Sequence, residues 1–161
     1  EQLLMPDGRR VEPEGADRVV FGPERALAYA TTAEAAAATA RTWLGTPYLW
    51  GGRIREGTDC SGFVQAVYSL HGFRLPRDSR DQFGAGSRLS PEEALDEGRG
   101  GDLWFFAWDG DPVSHVGIRL AAGAMIHASE TRGCVAVDRL GEGAFGARLA
   151  RGLVGAVRPV A

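Results

Sequence analysis

An alanine-rich run follows Thr31, and Thr31 and Glu34 stand at capping-box spacing. This predicts a helix from Thr31 to Leu44, closed by Gly45 and Pro47. Tyr48-Leu49-Trp50-Gly51-Gly52 reads as a loop. In residues 60–71, Phe63, Val64, Val67 and Leu70 fall on one helical face, with Asp59 as N-cap and Gly72 as the stop. A short helical turn is expected over Ser79 to Phe83, and Ser90-Pro91-Glu92-Glu93 opens another. After Gly101 the period changes from that of a helix to that of a strand. Strands are expected over Asp102 to Ala107, Val113 to Leu120, Ala124 to Ser129, Cys134 to Asp138 and Leu153 to Val157. Turns at Asp109-Gly110, Ala122-Gly123 and Arg132-Gly133 separate them. Helices followed by an antiparallel meander define an α+β domain, with N-terminal helices packed on one face of a sheet of about five strands. Residues 1–30 differ: turn signals at Pro6-Asp7-Gly8 and Pro13-Glu14-Gly15 flank the short apolar pieces Leu3-Leu4-Met5 and Val19-Val20-Phe21. They read as one or two strands and a linker, too short to bury a core alone, which places the main domain at 31–161.

The 161 residues carry 18 basic and 21 acidic side chains, and 44% are hydrophobic. That balance excludes a disordered or fibrous chain and suits one compact domain. No apolar run approaches the roughly 18 residues of a membrane span, and a net charge of −3 with no basic block argues against nucleic-acid binding. The chain contains no Lys and no Asn. A Schiff base, a Walker lysine and a Cys-His-Asn triad are therefore all excluded. Two cysteines, Cys60 and Cys134, do not make a disulfide scaffold, although they leave one bridge open. The sequence opens at Glu1 without a signal-peptide pattern. It is read as a processed, trimmed or partial chain, with cytoplasmic and cell-envelope or secreted locations all open.

Cys60 is expected in the first turn of a helix, where the macrodipole and free N–H groups favour a thiolate and could bind an oxyanion. Gly57, Thr58, Ser61 and Gly62 leave its approach open. Of three histidines, His71 ends the same helix and is taken as structural. His115 and His127 lie on consecutive strands. If Leu120 pairs with Ala124, Gly117 faces His127, and His115 becomes a diagonal neighbour of His127 on one face, roughly 7–8 Å away at the backbone. That arrangement supplies a nucleophile, a base and an orienting group. Two alternatives stay open on these residues alone. One is a pair of sheet histidines packing against helices. The other is zinc held by Cys60, His115, His127 and Cys134, which no CxxC, HxH or HExxH spacing supports. No cofactor is expected.

Several segments carry a family resemblance, in order along about 33–158: Tyr48-Leu49-Trp50-Gly51-Gly52, Thr58-Asp59-Cys60-Ser61-Gly62-Phe63-Val64, and Leu75-Pro76-Arg77-Asp78-Ser79 with Gln82. Gly101-Asp102-Leu103, Ser114-His115-Val116-Gly117-Ile118 and Met125-Ile126-His127-Ala128 complete the set. They resemble the NlpC-type, papain-like cysteine peptidases of bacterial cell walls. The resemblance implies a catalytic triad of Cys60, His115 and His127, with Tyr48 lining the site and helping to hold substrate or oxyanion. It also implies hydrolysis of the γ-D-glutamyl-L-diamino acid bond in peptidoglycan stem peptides.

Asp78-Ser79 stands where many members carry Thr-Ser. It resembles the branch that releases L-Ala-γ-D-Glu from free-ended muropeptides and carries an upstream SH3-like domain. Residues 1–30 would then be a linker or the remnant of that β module. Asp59, Ser61, Asp78 and Ser79 are expected to line the D-Glu and L-Ala subsites, with Asp78 facing the substrate's ammonium or, alternatively, only capping the helix at 79–83. Arg77 is either a solvated charge or a clamp near the site, Trp50 and Phe63 are core or groove wall, and Cys134 is a bystander. The competing functions are a cysteine amidase cutting between sugar lactate and L-Ala, and an inactive wall-binding module.

Overall fold

Leu103-Trp104-Phe105-Phe106 is a run of four apolar side chains, and all four are buried. A strand with every residue buried must be covered on both faces. In the computed structural model, which describes residues 29–108, 110, 112–121, 123–159 and the backbone of 3–4 and 10–11, this is so. Leu103 and Phe105 join one core with the N-terminal helices, while Trp104 and Phe106 join a second on the opposite face.

The described strands are β1 (Leu3–Leu4), β2 (Arg10–Val11), β3 (Arg53–Ile54), β4 (Gly57–Thr58), β5 (Gly86–Leu89), β6 (Leu103–Phe106), β7 (His115–Arg119), β8 (Ala124–Ser129), β9 (Cys134–Arg139) and β10 (Leu153–Pro159). The helices are α1 (Ala33–Ala40), α2 (Cys60–Leu70), α3 (Ser79–Gln82), α4 (Pro91–Asp96) and α5 (Gly143–Gly152). The main sheet has six strands in the order β5-β10-β6-β7-β8-β9, and each neighbouring pair is antiparallel. β1 and β2 form a separate pair. The expected strand piece Val19-Val20-Phe21 and most of the proposed β module lie outside the described residues.

The sequence reading and the structure differ at four places. The cap of α1 is Thr32, whose side chain accepts from Ala35 N–H, one residue past the expected Thr31. That helix ends at Ala40 and tightens into a 3₁₀ turn over Arg41–Trp43, because the Arg55 guanidinium takes the Thr42 carbonyl and hydroxyl. The sheet gains β5 at its edge, a four-residue strand held by β10. Finally, helices cover both faces and not one. α5 was not among the expected elements; it carries Gly143, Gly146 and Gly152, which weaken a helix, yet Leu149 is fully buried in the second core. Gly146 approaches the Arg139 carbonyl so closely that a Cβ would lie 2.2 Å from its oxygen. Tertiary packing here overrides weak helix propensity.

The expected helix over 60–71 is α2, with Asp59 as N-cap. The Ser90 capping box is present at α4. Phe63, Val64, Val67 and Tyr68 of α2 pack with Ala36, Ala37 and Ala40 of α1 against Val116, Ile118, Ile126 and Ala128 of the sheet. This packing sets the first turn of α2 against β7.

Candidate active site

Asp59 is where the site is assembled. Its Oδ1 accepts from Gly62 N–H at 2.7 Å and caps α2. Its Oδ2 accepts from Gly51 N–H at 2.8 Å, pinning the preceding loop. Arg77 clamps the same carboxylate at 3.0 and 2.5 Å and reaches Ser61 Oγ at 2.9 Å. Burial would raise the Asp59 carboxyl, but Arg77 and the two amides outweigh it and hold the group below its ordinary range. Arg77 is thus a clamp and not a solvated charge. Gln82, fully buried, adds bonds from Nε2 to the Ser61 and Pro76 carbonyls, fastening the 76–82 segment to α2.

Cys60 follows Asp59 and is nearly buried. Burial pushes its thiol up, opposed by the N–H groups of Val116, Ser61 and Cys60 itself. The helix terminus alone was expected to favour a thiolate. The net direction is the reverse, because desolvation is the larger effect. Val116, whose amide opposes the shift, is the residue after His115 on β7. Among the described residues no hydrogen bond joins Cys60 to His115.

The histidines are brought together as the strand register requires. β7 and β8 pair Ile118 with Ile126 and Arg119 with Met125, which makes His115 and His127 diagonal neighbours. His115 Nε2 lies 2.7 Å from His127 Nδ1. Gly117 makes this possible: a Cβ there would sit 3.1 Å from the His127 Cβ. Burial, then the neighbouring His127, holds His115 well below its ordinary 6.5. The Phe106 and Trp108 rings flank His115, and Phe145 of α5 stacks on His127.

Sequence reasoning missed Asp138. His127 Nε2 lies 3.0 Å from its Oδ2, and Arg132 binds its Oδ1 at 2.5 Å. β8 and β9 pair His127 with Ala136, so Asp138 is diagonal to His127 just as His115 is on the other side. The signal was present in the Arg132-Gly133 turn, which fixes that register.

A groove of about 860 Å³ opens over Cys60. It is lined by Trp50, Asp59, Ser61, Asp78 and Ser79, among others. Asp78 stands at the N-cap of α3, but its side chain makes no capping bond. Tyr48 lies close enough for a thiolate at Cys60 to raise it. Burial first, then Cys60, Glu130 and Asp59, push its hydroxyl up to about 12, so it stays a donor. Trp50 is exposed on the rim, whereas Phe63 is core. His71 is structural, bonded to the Ala30 carbonyl and Thr39 hydroxyl. Cys134 and Cys60 are both free thiols, so the bridge left open by the sequence is not formed.

A cysteine that opens a helix, set against an antiparallel sheet bearing a histidine pair, is a papain-like arrangement. The chain belongs to the NlpC/P60 family, whose model matches residues 45–154. It is similar to the γ-D-glutamyl-L-lysine dipeptidyl-peptidase of Bacillus subtilis, at 40% identity over 62% of this chain and 33% of that one. Among solved structures, an NlpC/P60 family protein from Bacillus cereus superposes with a TM-score of 0.68 at 32% identity, covering 81% of this chain and 41% of that one. The NlpC/p60 domain of the peptidoglycan hydrolase SagA gives 0.64 at 32% identity, over 78% of this chain and 97% of that one. The chain spans only 33% and 37% of the length of the γ-D-glutamyl-L-lysine dipeptidyl-peptidases of Bacillus subtilis and Bacillus cereus.

Proposed function

We propose that this chain is a cysteine peptidase that hydrolyses the γ-D-glutamyl-L-diamino acid bond of peptidoglycan stem peptides and prefers a free N-terminal L-Ala, releasing L-Ala-γ-D-Glu. The observation that carries this reading is the hydrogen-bonded His115–His127 pair, on the sheet against which the helix opened by Cys60 packs. The γ-D-glutamyl bond is suggested by the name of the Bacillus subtilis relative.

In the resting site the thiol and imidazole are both neutral, since burial raises one and lowers the other. Substrate draws them together. His115 takes the thiol proton as Cys60 Sγ attacks the γ-carbonyl. The Cys60 N–H and the Tyr48 hydroxyl donate to the oxyanion. Collapse breaks the C–N bond, and His115 gives its proton to the departing amine of the diamino acid. A thioester to L-Ala-γ-D-Glu remains. Water, deprotonated by His115, hydrolyses it and restores the thiol.

Asp59 and Ser61, fixed by Arg77, line the D-Glu end of the groove, with Ser79 beside them. Asp78 faces the L-Ala ammonium. Its freedom from any capping bond supports this role over a purely structural one. A charge-assisted hydrogen bond there is worth about 1.5–3 kcal/mol, or roughly 10- to 100-fold in selectivity. Intact peptidoglycan, acylated at that nitrogen by the sugar lactate, would be a poor substrate, so the enzyme would act on peptides already released. An SH3-like module upstream of residue 31 would close the far end of the groove. Mass spectrometry of products from free and N-acetylated L-Ala-γ-D-Glu-L-diamino acid tests this. The free peptide is expected to yield L-Ala-γ-D-Glu at least 10-fold faster, and Asp78→Asn to erase the difference. Equal rates on both peptides with wild type would refute the preference, and cleavage at the lactate–L-Ala bond of a muropeptide would make the protein an amidase.

A further inference from the structure

We infer that Asp138, held by Arg132, is a positioning residue that sets the tautomers of His127 and His115 and so decides which nitrogen of His115 can act as base. The inference rests on the proposed roles of Cys60 and His115, but its central observable does not.

The protons are fixed in sequence along three strands, from Asp138 on β9 through His127 on β8 to His115 on β7. The Asp138 carboxylate is ionised: the His127 N–H and the Arg132 guanidinium hold it down to about 2 against the opposing push of burial. An ionised carboxylate only accepts hydrogen bonds. His127 Nε2, 3.0 Å from its Oδ2, must therefore carry the proton. A neutral imidazole has one N–H and one lone pair, so His127 Nδ1 is the acceptor. His115 Nε2, 2.7 Å away, must then be the donor. That leaves the lone pair of His115 on Nδ1, the only nitrogen free to receive a proton from Cys60.

The opposite tautomer disables the base. With a proton on Nδ1, His127 would aim a lone pair at the carboxylate and donate to His115 Nε2. His115 would then be protonated on Nδ1 and present an N–H, not a lone pair, to the thiol. The carboxylate makes this state unfavourable. When His115 becomes an imidazolium, its Nε2–H donates toward a ring whose far N–H is already held by a fixed negative charge. The remaining groups against His127 do not compete: Phe145 from α5 is uncharged, and Arg132 is committed to Asp138, its guanidinium lying over the Phe145 ring. Asp138 thus supplies the fixed charge that a neutral orienter lacks, one residue further out than in a triad that ends in a carboxylate.

His71 is an internal reference. Its Nδ1 lies 2.6 Å from the Ala30 carbonyl, which can only accept, so His71 carries its proton on Nδ1. With three histidines in the chain, nitrogen NMR of the ¹⁵N-labelled full chain at neutral pH can resolve all six ring nitrogens. The expected result is Nε2–H on both His115 and His127 and Nδ1–H on His71. In Asp138→Asn, whose amide can donate as well as accept, His115 and His127 should show mixed or reversed tautomers. Its kcat on the tripeptide should fall roughly 10- to 100-fold with KM nearly unchanged. Nδ1–H on His115 or His127 in the wild type would overturn the inference, and this needs no variant to fold. So would a folded Asp138→Asn with wild-type tautomers and kcat. If the tautomers are as stated and respond to Asp138→Asn while Cys60→Ala still cleaves, the positioning role stands and the catalytic reading of Cys60 fails.

Discussion

Cys60 and His115 are shifted in opposite senses by the same cause. Burial raises a thiol and lowers an imidazole, because each is driven to its neutral form. The one-proton state of the pair therefore spans a wide range, from well below the ordinary imidazole value of 6.5 to above the ordinary thiol value of 9.0. The sign for activity follows: acid inactivation requires protonating a reluctant base, and alkaline inactivation requires ionising a reluctant thiol. Since kcat/KM reports the free enzyme, its profile on the N-acetylated tripeptide, which carries no α-ammonium, is expected to be flat from pH 6.5 to 9; a limb centred inside that range would contradict it. In the proposed mechanism His127 acts one bond further out. His127→Gln, which keeps one hydrogen bond to the imidazole, should retain part of the rate, whereas His115→Ala should approach the loss in Cys60→Ala. Equal losses in folded His127→Gln and His115→Ala would make His127 more than an orienting group.

The β7–β8 hairpin places the histidines, and it does so through an absence. Gly117 lies opposite His127 and leaves room for the diagonal contact with His115. A methyl group there would meet the Met125 sulfur at 2.8 Å and the His127 Cβ at 3.1 Å. The sulfur can swing away, but the His127 Cβ belongs to a paired strand and cannot. Gly117→Ala is expected to cost about 1–3 kcal/mol of stability and to lower kcat roughly 10-fold by displacing His127, as urea unfolding and steady-state kinetics would show. Unchanged kcat would mean that the imidazole contact tolerates the shift.

This element was legible in the sequence because strand period and turn length fix which side chains meet. β8 was expected at the bounds observed, and the His115–His127 contact followed from pairing Leu120 with Ala124. α5 and β5 were not legible. α5 is glycine-rich and forms because Leu149 and Phe145 find a core on the far sheet face, and β5 is a short edge strand that exists only against β10. Asp138 was hidden for a related reason: its role depends on a second register, across the Arg132-Gly133 turn, added to the first. The direction of the Cys60 shift was misjudged because a helix terminus is visible in sequence, whereas the depth of burial is set by the whole domain.

At the scale of the molecule, one ion pair joins the entry to β6 with the end of β10. Asp102 is fully buried and accepts from Arg158 Nε at 3.0 Å, Arg158 Nη2 at 2.9 Å and Arg99 N–H at 2.7 Å. The Tyr68 hydroxyl donates to the neighbouring Gly101 carbonyl, tying α2 to the same corner. Asp102→Ala leaves the Arg99 amide and a half-covered guanidinium without their carboxylate. It should cost about 2 kcal/mol in urea unfolding while leaving KM unchanged. A loss below about 0.5 kcal/mol would show that solvent replaces the carboxylate.

The proposed recognition of the substrate's ammonium would be a property of the whole groove. The free α-amino group titrates near pH 8, so kcat/KM on the free tripeptide should fall above about that pH as the cation is lost, even where that on the N-acetylated tripeptide is flat. In Asp78→Asn this fall should shrink. A wild-type kcat/KM that does not decline there would separate Asp78 from the ammonium. The account as a whole stands on Cys60 cutting a γ-D-glutamyl bond. The most direct measurement is the mass spectrum of products released from L-Ala-γ-D-Glu-L-diamino acid by wild type and by Cys60→Ala of equal stability. The account predicts L-Ala-γ-D-Glu and the free diamino acid from the wild type and neither from the variant. Any other cleavage point, or the same products from Cys60→Ala, would contradict it.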